Sequence, residues 1–146
     1  MTEGTVTRDP REIAEDFVKV WDASSPPGLA ERAYDTGYVE HHPLPGQGEG
    51  IDGVNQLATM YFAVFPDLST TVEAVVNDGD LTAVRWSGVG THEGDQMGPP
   101  THRRVHFSGI DILRISGGKV VEHWGETNGL EVMQQLQPAP DDQADS

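Results

Sequence analysis

The sequence predicts an α+β domain, with helices first and a sheet afterwards, and three observations carry that reading. Apolar residues recur at helical spacing in the first half, the second half changes to β-branched and apolar runs, and tight Gly- or Asn-containing turns join those runs in pairs. A length of 146 residues fits one domain around a single core. Residues 1–137 are assigned to that domain, and the Pro-rich, acidic segment 138–146 is expected to be disordered.

The first helix is expected from about residue 10 to 22. Asp9 can cap it, Pro10 suits its first turn, Glu12 occupies the capping-box position, and Ile13, Ala14, Phe17, Val18 and Trp21 form one apolar stripe. Ser24 to Gly28 breaks it, and Leu29 to Ala33 reads as a short second helix before an extended piece from Tyr38 to His42. After the Pro- and Gly-rich loop Pro43 to Gly50, Asp52 can cap a third helix. Its Val54, Leu57, Ala58, Tyr61 and Phe65 share a face, and Pro66 ends it. Four antiparallel strands follow: Thr70 to Val76, Leu81 to Thr91, Arg104 to Ile115 and Lys119 to Thr127. Hairpin turns at Asn77–Asp80 and Ser116–Gly118 join them in pairs, and a crossover loop from Gly90 to Thr101 links the pairs.

Composition excludes several function classes. With 24 acidic residues against 9 basic ones and a net charge of −15, the surface repels nucleic acid and anionic membranes. No cysteine is present, which removes disulfides, thiolate nucleophiles and thiolate metal sites. The N-terminus lacks the order of a signal peptide and no apolar run has membrane-spanning length, so a cytoplasmic location is expected. The six histidines, at 41, 42, 92, 102, 106 and 123, include no pair with the spacing of a helical zinc site, and no metal or cofactor is expected. A phosphate-binding glycine loop, a nucleophile elbow and a dinucleotide fingerprint are all lacking.

Seven segments, in order, carry a resemblance: YVEHHP, GQGEGIDG, FPDLSTTVE, GDLTAVRWSGVGTHEG, GPPTHRRV, GIDILRISGGKVVEHW and GLEVMQQL. They are similar to the SnoaL-like polyketide cyclases of the NTF2-like superfamily, from about Ala14 to Leu136. The resemblance implies an NTF2-like cone, a curved antiparallel sheet wrapped over the N-terminal helices around a deep pocket, and a homodimer. It also implies cofactor-free, intramolecular ring closure by acid/base chemistry. The family's general acid/base is an Asp four residues after the Trp of EHW, and this chain has Asn128 there. An amide does not titrate near neutral pH, so Asn128 is expected to orient a substrate oxygen rather than move a proton.

The resemblance places Trp124 inside the cone, so strand alternation puts Glu126 and Asn128 on the same inward face and turns His123 away. Glu126 becomes the candidate carboxylate, activated by an apolar wall at Trp124 or else exposed at the strand end. His92, where the crossover loop begins, is its candidate acid/base partner, with a loop histidine bound to nearby backbone as the alternative. His41 matches a recurrent family histidine, while spacing leaves open whether it or His42 faces the pocket. His106 and His123 are expected outside the pocket. His102 stands where the family usually has glycine, as a rim residue or an exposed substitution. Tyr38, Trp86, Trp124, Asn128, Met60 and Phe107 are the candidate substrate contacts, with Phe17, Trp21, Tyr61 and Phe65 completing the aromatic set. Asp111, between two isoleucines in GIDIL, needs a partner if buried, for which Arg85 or a backbone donor is available; Arg85 and Arg104 are otherwise expected to pair with acids on the outer face.

These residues lead to a cyclase or isomerase acting on a small, apolar, oxygenated molecule of polyketide type, by a closure such as epoxide opening rather than the standard aldol. A non-catalytic small-molecule binding protein and an epoxide hydrolase are the alternatives.

Overall fold

Asp9 caps α1 (Pro10–Lys19) through a full capping box, its carboxylate accepting from the Arg11 amide at 2.9 Å while Glu12 reaches back to the Asp9 amide. The computed structural model describes residues 8–137; the segment expected to be disordered lies outside them. The helix buries Ile13, Ala14, Phe17 and Val18 against the sheet and ends three residues before the predicted limit. There the buried Asp22 carboxylate takes over, accepting from the amides of Ser24 and Thr70 at 2.9 Å each and so tying the helix end to the strand that carries Thr70.

The remaining elements are α2 (Leu29–Ala33), β1 (Tyr34–Glu40), which begins and ends earlier than the extended piece expected from Tyr38 to His42, α3 (Gly50–Val64), β2 (Ser69–Asp78), β3 (Leu81–Thr91), β4 (Arg104–Ser116), β5 (Lys119–Thr127) and a last helix, α4 (Gly129–Leu136). Glu49 occupies the N-cap of α3 without a side-chain hydrogen bond, and Asp52, the predicted cap, sits in its first turn. The strands form one curved five-stranded sheet in the order β1-β5-β4-β3-β2. Its four long strands pair antiparallel, and β1 adds parallel to β5 at one edge. The register shifts between Tyr34 and Val39, between Val72 and Ala74, and between Arg114 and Ile115, irregularities of the kind that bend a sheet.

Two apolar clusters hold the sheet to the helices. One joins Ile13, Phe17 and Val18 to Tyr34, Val84, Leu113 and Val120; the other joins Val64, Phe65 and Leu68 to Val105, Val132 and Leu136. Between them the inner face of the sheet stays open as a cavity.

Candidate active site

Four adjacent strands each contribute one polar side chain to the inner face. In sheet order they are Glu40 at the end of β1, His123 on β5, Asp111 on β4 and Trp86 on β3. Backbone pairing sets Glu40 beside His123, and Asp111 lies opposite Gly125 and Val84. Glu40 and His123 are therefore direct neighbours, while the His123 and Asp111 side chains meet on a diagonal within reach of an imidazole.

The four are joined end to end. His123 Nδ1 lies 2.6 Å from one Glu40 oxygen and 2.8 Å from the other, His123 Nε2 lies 2.6 Å from Asp111 Oδ1, and Trp86 Nε1 donates to Asp111 Oδ2 at 2.6 Å. Tyr38 donates its hydroxyl to Glu40 at 3.3 Å, and the His42 amide donates to the second Glu40 oxygen at 3.1 Å. Phe17 stacks obliquely on the imidazole, with centroids 5.1 Å apart.

Both ring nitrogens of His123 face carboxylates, which only accept, so the ring is an imidazolium donating twice. Burial on its own would drive His123 toward the neutral form, but the hydrogen bonds and charges of Asp111 and Glu40 outweigh it and raise its pKa from 6.5 to about 9. Burial likewise works to raise Glu40, and the His123 bond, with the donors of His42 and Tyr38, holds it below the usual carboxylate range. Burial and the Glu40 charge push the Tyr38 phenol up, so it stays protonated.

This chain opens on a cavity of about 740 Å³, within the range of small-molecule sites. Phe17, Trp21, Tyr34, Leu57, Tyr61 and Phe107 form much of its apolar wall, and Glu40, Asp111, His123 and Trp86 border it on the sheet side. His42, Gln47, Glu126 and Asn128 also border it.

Several expected placements change. The alternation along β5 has the opposite phase to that expected: His123 and Gly125 face the cavity, and Trp124 does not line it. Trp124 instead stacks flat on His41 at 4.7 Å, with the Arg114 guanidinium 5.8 Å from its ring. Both His41 and His42 border the cavity; the His41 imidazole is held against Trp124 and bonds Glu122 at 2.6 Å, while His42 Nδ1 lies 2.7 Å from the Gly125 carbonyl oxygen. Glu126 borders the cavity with its side chain 85% exposed, 3.6 Å from His42 Nδ1. Water surrounds that side chain, and no apolar wall encloses it.

His92 and Glu126 are not brought together. His92 is fully buried outside the cavity against Phe65, where its Nδ1 accepts from the Thr101 amide at 3.2 Å and pins the crossover loop. Asn128 uses its amide structurally: Oδ1 accepts from the Ser108 amide at 2.9 Å, and Nδ2 donates to the His106 carbonyl at 3.2 Å and to Glu131 at 2.6 Å. Met60 packs in the second apolar cluster and does not line the cavity, whereas Trp86 and Phe107 do. Tyr38 is buried in the core behind Glu40 and does not line the cavity. His102 does occupy a left-handed position, with φ of 59°, as the glycine usual there would suit. Asp111 is buried, and His123 and Trp86 satisfy it, not Arg85. Among the described residues no group of three or more acidic or histidine side chains is arranged to hold a metal ion.

The missed residues, Glu40 and His123, carried one usable signal. Each is a titratable residue on a predicted extended segment with a large apolar residue on one side, Val39 or Trp124, as Asp111 has Ile110 and Ile112 on both, and a sheet that ordered those strands side by side would collect them.

Fold and site together define an α+β cavity protein with an acid–imidazolium–acid chain at the base of an apolar pocket. The chain belongs to the SnoaL-like polyketide cyclase family, whose pattern it matches over residues 11–136. Among solved structures it is similar to IdmH of Streptomyces antibioticus, a candidate polyketide cyclase, with 27% identity and a TM-score of 0.77 over 88% of this chain and 99% of that one. It is also similar to AclR of Streptomyces galilaeus, a candidate hydroxylase, at 28% identity and a TM-score of 0.74 over 90% and 82%. A candidate polyketide cyclase of Bacillus cereus gives 26% identity and a TM-score of 0.75 over 85% and 77%. Comparison with curated protein sequences finds no match. Among the described residues no helix is long and apolar enough to cross a membrane.

Proposed function

We propose that this protein closes a ring in a small, apolar, oxygenated molecule of polyketide type by acid/base chemistry, with Asp111 as the proton-transferring group and His123 as the cation that positions and tunes it. The observation that carries this reading is the buried Glu40–His123–Asp111 chain opening on an apolar cavity.

The chemistry follows from the hydrogen bonds. Both nitrogens of His123 are occupied by carboxylates, so the ring supplies charge and orientation, while Asp111 keeps lone pairs free beyond its bonds to His123 and Trp86. A proton removed from a carbon beside a carbonyl passes to Asp111. The negative charge that develops on the carbonyl oxygen lies close to the imidazolium, in a site where low dielectric strengthens that attraction. Ring closure then moves the charge to a new oxygen, which takes the proton back from Asp111. No net proton leaves the cavity, and the cycle needs no external reagent. The same geometry serves opening of an epoxide by an internal hydroxyl, with Asp111 accepting the hydroxyl proton and returning it to the epoxide oxygen.

The test is turnover of a panel of linear polyketide esters and hydroxy-epoxides, with mass spectrometry of the products. A ring closure gives a product of the same mass or one lacking water. Asp111→Asn is expected to lower the rate about a hundredfold or more with the fold intact, and Glu126→Gln by less than about tenfold. The reverse ranking would return proton transfer to Glu126 at the strand end. Saturable binding with no product from any compound would identify a binding protein, and uptake of labelled solvent oxygen an epoxide hydrolase.

A further inference from the structure

We infer that Gly125 and Gly109 are positioning residues: their missing side chains leave the space in which Asp111 closes on His123 and Trp86. The inference rests on the proposed role of Asp111, but its geometry stands without any substrate.

Both glycines lie within paired strands, Gly125 opposite Asp111 and Gly109 opposite both Trp86 and Thr127. Neither has the positive φ that would explain a glycine by backbone conformation. The reason is space. A Cβ on Gly125 would lie 2.4 Å from Asp111 Oδ1 and 2.9 Å from His123 Nε2, the two atoms that form the hydrogen bond. A Cβ on Gly109 would lie 2.8 Å and 2.9 Å from carbons of the Trp86 indole and 2.7 Å from the Glu126 carbonyl oxygen. Carbon atoms in contact need about 3.5–4.0 Å, so each added methyl forces a shift.

The consequences differ. On Gly125 the nearest obstacle is the carboxylate, so a methyl there displaces Asp111 from His123. On Gly109 the obstacles are the Glu126 carbonyl on one strand and the indole on the other, and the indole is the side chain that can give, so a methyl displaces the donor that holds the other Asp111 oxygen. Each glycine thus guards one of the two bonds that orient Asp111. Gly125 also keeps the cavity open beside the pair, since it lines the wall where a side chain would stand.

The experiment uses the full chain and reads the pair directly. In Gly125→Ala, nitrogen-15 NMR of the His123 ring is expected to show its titration midpoint falling from about 9 toward 6.5, because one of its two carboxylates has been moved. In Gly109→Ala, the Trp86 indole N–H resonance shifts upfield as its bond to Asp111 lengthens. Turnover on a responsive substrate falls in both, in kcat more than in KM. A stability cycle separates positioning from general damage. Gly125→Ala lowers Tm in the native background and lowers it far less in Asp111→Ala, where the obstructing carboxylate is gone. Unchanged ring titration and an equal Tm loss in both backgrounds would overturn the inference. Should Gly125→Ala not fold, an unshifted Trp86 indole resonance in Gly109→Ala overturns it alone. The NMR and stability results stand even if no substrate turns over, so the failure of the cyclase reading is distinguishable from the failure of this one.

Discussion

Replacing His123 with Gln should flatten the pH dependence of stability above neutrality. The folded-state pKa of His123 is raised from 6.5 to about 9, and each unit is worth about 1.4 kcal/mol of preferential binding of the proton by the folded state. The shift therefore contributes about 3 kcal/mol. The sign follows from which state binds the proton more tightly. The stabilisation is full below the unfolded pKa of 6.5 and disappears as pH rises through about 9. The assay is urea unfolding followed by far-UV circular dichroism at constant salt, extrapolated linearly to water at intervals from about pH 6 to about pH 10. The native chain should lose about 3 kcal/mol over that interval, with most of the fall above about pH 7. Asp111→Asn, which leaves Glu40 as the single charged partner, should lose clearly less, and His123→Gln should show no such component. A flat native profile, or a slope that survives His123→Gln, would refute the account of a clamped imidazolium.

Three further outcomes are expected. Asn128→Asp should lower stability by about 0.5–1.5 kcal/mol in thermal unfolding, since it removes both donors to His106 and Glu131 and sets a carboxylate where Glu131 lies 2.6 Å away. Asp22→Ala should cost about 1–3 kcal/mol, because it leaves the amide of Thr70 without its acceptor; burial alone would raise Asp22, but the Ser24 and Thr70 donors hold it below its ordinary 3.8, so the native contribution is present above that pH and fades in acid titrations as pH falls through the lowered folded value. The outer sheet face exposes Ile110 and Ile112 on the central β4, and we propose that a homodimer forms through it; light scattering should then give twice the chain mass and Ile112→Lys should lower it, while a monomer mass for the native chain or an unchanged mass in the variant would count against that interface.

The order and kind of elements were legible because each rests on local signals. The capping box at Asp9, the apolar stripe of α1 and the turns at Asn77–Asp80 and Ser116–Gly118 all fall where sequence chemistry puts them. Which face of β5 points inward was not legible. Period-2 reasoning needs one apolar and one polar face, and here the pattern is inverted around the site. In β4 Ile110 and Ile112 are exposed while Asp111 between them is buried, and in β5 the large apolar Trp124 stands outside with Arg114 and His41. A buried carboxylate looks like a surface residue until its partners are known, and its partners come from strands adjacent in space but far apart in sequence. The parallel pairing that sets Glu40 beside His123 spans 83 residues, beyond the reach of any spacing rule. Asn128 misled for a related reason: a carboxamide beside a pocket suggests ligand contact, whereas here the His106 carbonyl on β4 and Glu131 on α4 take up its side-chain donors.

The inverted face is itself an argument about function. Buried ion clusters are weak contributors to stability, and apolar replacements of similar volume are often neutral or stabilising. The core around Phe17, Tyr34, Val84 and Leu113 could supply such a replacement surface, yet the sheet carries two carboxylates and an imidazolium across its centre. Among the described residues, no lysine or arginine lines the cavity, so His123 is the positive charge that a developing oxyanion would meet. An arginine would hold that charge permanently and could never release a proton in the physiological range. A histidine held near 9 keeps the charge through neutral pH while remaining within reach of proton exchange with Asp111. On the proposed reading His123 is the electrostatic stabiliser and Asp111 carries the mobile proton, the two functions that a ring closure by acid/base chemistry requires.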